Sequence, residues 1–154
     1  MNAMPSAAKT TPLLFVYGTL MKGFREAWQR KVGADFVGQG TIKAHLYDFD
    51  KYPGAKDSRA DPGQRVRGEL YRLRDPELAL EMLDRYEDFF PLEPKKSLFI
   101  RKSVPVTLDN GRRKRSWVYI YNRAVARAKL IPSGSYRDSA TSRHSSLAVG
   151  SQTR

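Results

Sequence analysis

The sequence predicts an α+β domain, a small mixed and mostly antiparallel β-barrel flanked by helices. Three observations lead there. The β-type runs do not alternate with helical ones in the regular strand–helix–strand order of a parallel sheet. Asn110-Gly111 lies between two such runs, a strong short-range sign of an antiparallel hairpin. The chain has 154 residues, 40% of them hydrophobic, which suits one domain with a real core. Rolling its sheet into a barrel would leave few strand edges exposed.

The elements follow in order. Leu13-Leu14-Phe15-Val16-Tyr17 is a continuous apolar run with the length and aromatic content of a buried strand, ended by Gly18-Thr19. Residues 24–32 predict a short helix, with Phe24, Trp28 and Val32 at i, i+4 and i+8. Residues 35–50 hold β-type residues broken by Gly38 and Gly40, as one bent strand or two short ones. Tyr52-Pro53-Gly54-Ala55 predicts a turn or loop, which the polar residues 56–64 continue. Residues 65–73 alternate, with Val66, Gly68 and Leu70 on one face and Arg67, Glu69, Tyr71 and Leu73 on the other.

Asp75-Pro76 announces a helix, Asp as N-cap and Pro at the first helical position, running to about residue 88. At about 100° per residue, Ala79, Met82, Leu83, Tyr86 and Phe90 share a stripe that is expected to be buried. Glu77, Glu81, Asp84 and Asp88 are expected to face solvent, and Glu87 falls on the edge of the stripe. Residues 99–108 and 116–122 form the hairpin around Asn110-Gly111, where both turn positions want positive φ. Pro105 in its first strand marks an edge or a bulge. Residues 130–134 make a closing loop.

The ends read differently. Residues 1–12 and 139–154 are small and polar and offer too little apolar surface to offset their ordering. They are expected to be disordered tails around one domain at residues 13–138.

Composition excludes several classes of function. There is no cysteine, hence no disulfide, thiolate metal site or Cys nucleophile. Two histidines, His45 and His144, make a multi-histidine metal centre a poor expectation. His45 reads as a core or surface residue of a strand, and His144 as a bystander in the tail. No metal site is expected. No apolar run reaches the roughly 18 residues of a membrane span, and the first residues lack the apolar stretch of a secretory signal. A cytoplasmic protein, monomeric or weakly dimeric, is expected. Lys and Arg number 28 against 16 Asp and Glu, a net charge of +12. The sharpest basic cluster is Arg112, Arg113, Lys114 and Arg115, directly after the hairpin turn. It reads as a solvated hairpin tip, or else as a surface that would release counterions from nucleic acid. No zinc-finger spacing, aromatic RNA-binding motif or basic zipper accompanies it, so nucleic acid is not the expected partner.

Two places could carry chemistry. At Tyr17-Gly18-Thr19-Leu20 a strand ends in a glycine that lets backbone approach a ligand, and successive N–H groups can form an anion nest. An ordinary strand-end turn has the same residues, and no G-x-G-x-x-G or Walker pattern adds to it. Glu87 lies beside an apolar stripe near a helix C-terminus, where the dipole disfavours negative charge. A carboxylate half-buried among aromatics has its pKa pushed up, which suits a general acid or base near neutrality. The other reading is a boundary Glu paired with one of many arginines.

Read together, these pieces resemble the γ-glutamylcyclotransferase-like superfamily, which includes the avirulence-induced-gene-like proteins. FVYGTLMKG is similar to its Y-G-(S/T)-L signature, and YPGA to a loop of its bacterial members. VRGELYRL is similar to its V-x-G-x-(V/L)-Y-x-(L/I) strand, and LDRYEDFF to the L-D-x-x-E-G helix end that carries the catalytic glutamate. FIRKSVPV, WVYIYNR and KLIPSGSYRD resemble the strands and closing segment that follow, in the same order. The resemblance covers about residues 13–138. It implies a mixed β-barrel flanked by helices, and a reaction in which the α-amine of a γ-glutamyl group attacks its own γ-carbonyl. 5-Oxoproline forms and an amine or amino acid leaves. It also implies that Tyr17, Gly18, Thr19 and Leu20 line the pocket, with Tyr52 and Tyr119 as further substrate-binding residues. Glu87 would be the general base and acid, a small γ-glutamyl compound the partner, and no cofactor would be needed, since the nucleophile belongs to the substrate. Two positions depart from the pattern: the glycine after the catalytic Glu is Asp88 here, and the tyrosine opening the next strand is Phe99. The alternative is a non-catalytic binding module on the same scaffold, taking an acidic metabolite or, through the basic hairpin, nucleic acid.

Overall fold

The computed structural model describes residues 11–21, 27–57, 63–125 and 128–139. In chain order these form β1 (Leu13–Val16), α1 (Ala27–Val32), β2 (Ala34–Lys43), β3 (His45–Asp48), β4 (Pro53–Lys56), β5 (Arg65–Leu73) and α2 (Pro76–Tyr86). A 3-10 turn at Pro94–Lys96 leads to β6 (Phe99–Leu108), β7 (Arg113–Tyr121) and β8 (Lys129–Leu130). Phe24, His144 and both expected tails lie outside the described residues or almost so.

β1, β5, β2, β6 and β7 close into a barrel in that order. Neighbours run antiparallel, except at the seam, where β1 meets β7 in parallel with Leu14 opposite Trp117. This is the mixed, mostly antiparallel barrel that the order of elements predicts. Leu14, Phe15, Ile42, Val66, Leu70, Val106 and Val118 are fully buried in its core. A smaller sheet, β4-β3-β8, stands beside it.

Residues 35–50 form two strands, one of the two expected readings, in two different sheets parted at Ala44. Other local expectations are corrected. The stretch 52–55, read as a turn, enters β4, whose Ala55 pairs with Leu46 and Gly54 with Tyr47. β4 is the edge of its sheet and Pro53 its first residue, the two places where a strand tolerates a missing N–H. β5 does not bury one face only: Gly68, Glu69, Leu70 and Tyr71 are buried in succession. Its outer face is covered, with the Trp28 ring of α1 edge-on to Tyr71 at 5.2 Å and Phe36 at 5.6 Å.

The hairpin forms where predicted, but β7 starts at Arg113, earlier than residue 116. Its turn is also of another type. Gly111 has φ +90°, while Asn110 is absent from the positive-φ residues. The Gly111 N–H donates to the Leu108 carbonyl at 2.9 Å, and the Leu108 N–H to the Arg112 carbonyl at 2.8 Å. This is the three-residue loop with a left-handed glycine, not the two-residue turn. Pro105 lies opposite Arg115, past the β2–β6 register pairs at Gly40↔Leu108 and Thr41↔Thr107.

α2 begins as expected. The Asp75 side chain caps it, accepting from the Leu78 N–H at 3.4 Å, with Pro76 in the first turn. It ends at Tyr86 rather than residue 88, and its buried residues are Ala79, Leu80, Leu83 and Asp84. Tyr86 and Phe90, expected in the buried stripe, are each 46% exposed. Phe90 lies beyond the helix, so a wheel that includes it is turned away from the true face. Asp84, expected in solvent, is on the buried side. The helix closes with the Phe89 N–H on the Asp84 carbonyl at 2.8 Å and the Asp88 N–H on the Arg85 carbonyl at 3.2 Å. That is a Schellman closure, with Asp88 at φ +54° in the place that usually holds glycine.

Candidate active site

The end of β1, the start of β4, the last turn of α2 and the strands β6 and β7 enclose a cleft of about 280 Å³. Every residue expected at the site lines it: Tyr17, Gly18, Thr19, Leu20, Tyr52, Glu87 and Tyr119. Phe99 and Asp88, the two departures from the superfamily pattern, line it as well. Arg112, Arg113, Lys114 and Arg115 do not; they are exposed at the hairpin.

The segment after β1 is shaped by packing. At Gly18 a Cβ would fall 2.7 Å from Cγ of Pro53, so this glycine is required by the close approach of β4. The Gly18 carbonyl accepts from the Met21 N–H at 3.0 Å, which turns the chain. The Leu20 carbonyl accepts from the Trp28 indole N–H at 2.7 Å, which ties the turn to α1. The N–H groups of Thr19 and Leu20 donate to no other described residue, leaving two backbone donors at the cleft. The Thr19 and Tyr86 hydroxyls lie 3.5 Å apart across its mouth.

The tyrosines hold the frame. The Tyr17 hydroxyl donates to the Tyr119 carbonyl at 2.7 Å and accepts from the Ala55 N–H at 3.1 Å. Burial pushes its pKa far above the usual phenol value, so it stays protonated. The Tyr119 hydroxyl donates to Oδ1 of Asp84 at 2.6 Å. Burial first, then that carboxylate, raise its pKa as well. Tyr119 therefore offers the cleft its ring, while its proton is committed to Asp84. Tyr52 is half-buried, its pKa raised chiefly by burial, and its ring packs edge-on to Phe99 at 5.8 Å.

Glu87 is the C-cap of α2 and its backbone N–H reaches the Leu83 carbonyl. Its side chain is half-buried and makes no hydrogen bond or ion pair with another described residue. Burial, and then the neighbouring charge of Asp88, push its pKa up to about 7. No described arginine pairs with it, as the boundary reading would have required. Such a group exchanges a proton near neutrality, the property that general acid–base chemistry requires.

Asp84 was missed in the sequence. Its side chain is bound by Arg101, Nε to Oδ1 at 2.8 Å and Nη2 to Oδ2 at 3.1 Å, as well as by Tyr119. An aspartate three residues before a candidate glutamate, with an arginine in the following strand, was the signal that could have found it. Among the described residues no group of three or more His, Asp or Glu is placed to hold a metal ion, and no helix is long and apolar enough to cross a membrane.

Comparison with known proteins agrees with this arrangement. Residues 14–138 match the family model described as gamma-glutamyl cyclotransferase, AIG2-like. The chain is 32% identical over 113 residues to the gamma-L-glutamyl-butirosin B gamma-glutamyl cyclotransferase of Niallia circulans, covering 73% of this chain and 68% of that one. It is 30% identical over 128 residues to the gamma-glutamylcyclotransferase family protein YtfP of Escherichia coli K12, covering 81% and 96%. The solution structure of the Escherichia coli ytfP protein superposes with a TM-score of 0.56 at 28% identity, over 82% of this chain and 98% of that one. YkqA of Bacillus subtilis shares the fold, with a TM-score of 0.66 at 24% identity, but this chain spans 42% of its length and 87% of its own. The match runs through the barrel, the cleft and the helix end that carries Glu87, and this chain belongs to the gamma-glutamyl cyclotransferase, AIG2-like family.

Proposed function

We propose that the protein is a γ-glutamylcyclotransferase with Glu87 as its general base and acid. The α-amine of a γ-glutamyl compound attacks the γ-carbonyl carbon, a C–N bond forms, and the carbonyl oxygen takes the negative charge. Glu87 accepts the proton of the attacking amine and delivers it to the leaving nitrogen, whose bond to the γ-carbon then breaks. 5-Oxoproline and a free amine result. The N–H groups of Thr19 and Leu20 are suited to hold the developing oxyanion, since no acceptor among the described residues competes for them. The nucleophile belongs to the substrate, so the chain itself need supply only shape, donors and one proton carrier. The observation that carries this reading is Glu87, a cleft carboxylate with no partner among the described residues and a pKa of about 7.

The test is a panel of γ-glutamyl amino acids, γ-glutamyl amines and glutathione, with 5-oxoproline as the readout. At least one substrate is expected to turn over. Glu87→Gln keeps the shape and cannot carry the proton, so its rate should fall by about 10²–10⁴-fold while product binding persists. Turnover that survives in Glu87→Gln would remove Glu87 from the mechanism. A folded protein that binds 5-oxoproline and turns over nothing would mark a binding module on this scaffold.

A further inference from the structure

The Glu87 side chain has no bond to another described residue to hold it, yet the turn that carries it is firmly tied. Asp84 precedes it by three residues, a spacing that makes the two neighbours on the helix surface. Asp84 is 8% exposed and accepts from two strands at once. Arg101 of β6 grips both its oxygens, and the Tyr119 hydroxyl of β7 shares Oδ1. The guanidinium carbon of Arg101 lies 4.5 Å from the Trp117 ring centre and 5.8 Å from that of Phe89. Phe89 is also the residue whose N–H closes the helix on the Asp84 carbonyl. From Asp84 the bonds continue through Tyr119, whose carbonyl holds the Tyr17 hydroxyl, to the strand end bearing Gly18 and Thr19.

We propose that the Asp84–Arg101 pair is the positioning element of this site: it fixes the last turn of α2, and Glu87 with it, against the barrel, and cancels the charge of the other carboxylate on the buried side of that turn. Terminal helical turns fray where nothing holds them, and a side chain placed about 1 Å from its productive position costs up to ~10²-fold in rate. The charge half of the proposal is equally direct. A bare Asp84 carboxylate would oppose ionisation of Glu87, and a bidentate guanidinium is the group best shaped to offset it. Among the described residues, the titratable groups that feel the Glu87 charge or act on it are then Asp88 on its own turn, Tyr17 beyond β1, Tyr52 before β4 and Tyr119 on β7, with the neutralised pair between α2 and β6.

The rate arm of the test rests on the cyclotransferase reading; the titration arm does not. The Glu87 carboxyl is followed by ¹³C NMR in the free protein across pH, in the wild type and in variants that retain the wild-type fold by circular dichroism. Arg101→Gln leaves Asp84 charged and should raise the Glu87 midpoint by about one pH unit. Asp84→Asn leaves Arg101 unopposed and should lower it. The double variant should return it close to the wild-type value. Midpoints that stay put in both single variants, or a double variant farther from wild type than either, would overturn the charge cancellation. Arg101→Lys keeps the charge but loses the fork and the ring contact. It should hold the midpoint while kcat falls about tenfold or more, with KM little changed; unchanged kcat would overturn the positioning role. Absence of turnover in the wild type would sink the cyclotransferase reading instead, with the titrations still deciding the charge half.

Discussion

Glu69 and Glu87 are two carboxylates taken out of water in different regions of one molecule. Glu69 on β5 is the more deeply buried, 5% exposed. The Tyr71 hydroxyl donates to its Oε1 at 2.9 Å, Arg137 reaches Oε2 at 3.5 Å, and Gln29 donates to Tyr71 in turn at 2.8 Å. Glu87 is less hidden from solvent, but no described residue gives it a donor and Asp88 lies beside it. A buried charge is tolerable when donors replace the lost water. At Glu69 they do, and the result is a strut between β5 and the segment after Gly134. At Glu87 they do not, and the proton is left in balance near neutral pH. What distinguishes Glu87 as the candidate is the lack of a partner among the described residues, and depth of burial alone would have pointed to Glu69.

The most direct way to break this comparison is to make the same change at both sites. Glu87→Gln should lower turnover by about 10²–10⁴-fold and leave thermal stability intact. Glu69→Gln should leave kcat near wild type and cost about 1–3 kcal/mol, seen as a Tm lower by several degrees. A Glu69 variant that loses activity while keeping its Tm would end the distinction.

The next effect is pH dependence. Glu87 titrates at about 7 in the folded protein against an ordinary value of 4.5. Between these values the folded state keeps a proton that the unfolded chain releases, so raising pH favours unfolding across that window. Its contribution to stability is full below about 4.5 and is lost as pH rises through about 7. Urea midpoints at pH 5 and pH 8 should show the loss in the wild type and its absence in Glu87→Gln. The kcat/KM profile should rise with pH with a midpoint close to 7, as a base that must first lose its proton requires.

A finer test concerns Asp88. Asp88→Gly removes both the left-handed strain and the neighbouring charge. It should stabilise the protein by about 1 kcal/mol and shift the rising limb of the pH profile downward, since Asp88 is one of the two causes that hold Glu87 high. The smallest expected effect is that of Phe99→Tyr. Phe99 packs against Tyr52 and Tyr121 at the cleft, and the added hydroxyl should raise kcat/KM modestly if substrate contacts it; unchanged kinetics would show that the superfamily hydroxyl is dispensable here.

The cleft was legible in the sequence because its parts are short and local. A strand that ends in Tyr-Gly-Thr-Leu, a capped helix and a Glu at that helix's edge can each be seen within a few residues. The antiparallel sheet was legible from element order, since the strands do not alternate regularly with helices, and closing its edges suggested the barrel. What escaped notice depended on distant partners. Asp84 looks like one more solvent-facing acid until Arg101 and Tyr119 arrive from β6 and β7. β4 looks like a turn because Pro53 and Gly54 are poor strand formers, and only the pairing with β3 makes them one. Gly18 reads as room for a ligand, whereas Pro53 already fills that room. The buried stripe of α2 was misjudged because the left-handed Asp88, which takes Phe90 off the helix, leaves no plain mark in composition.

The parallel seam of the barrel has a consequence for how the protein comes to exist. β1 leaves the ribosome well before β7, and the ring closes by bringing the two together. The bond from Tyr17 to Tyr119 spans 102 residues across that seam. Contacts of such long separation form late and slow folding, because loop closure precedes any reward from pairing. The β6–β7 hairpin can form early and alone, but the cleft cannot. An emerging chain thus has no half-built active site, only an unpaired β1 edge that waits for its last neighbour and is exposed to chaperones and to other chains until then.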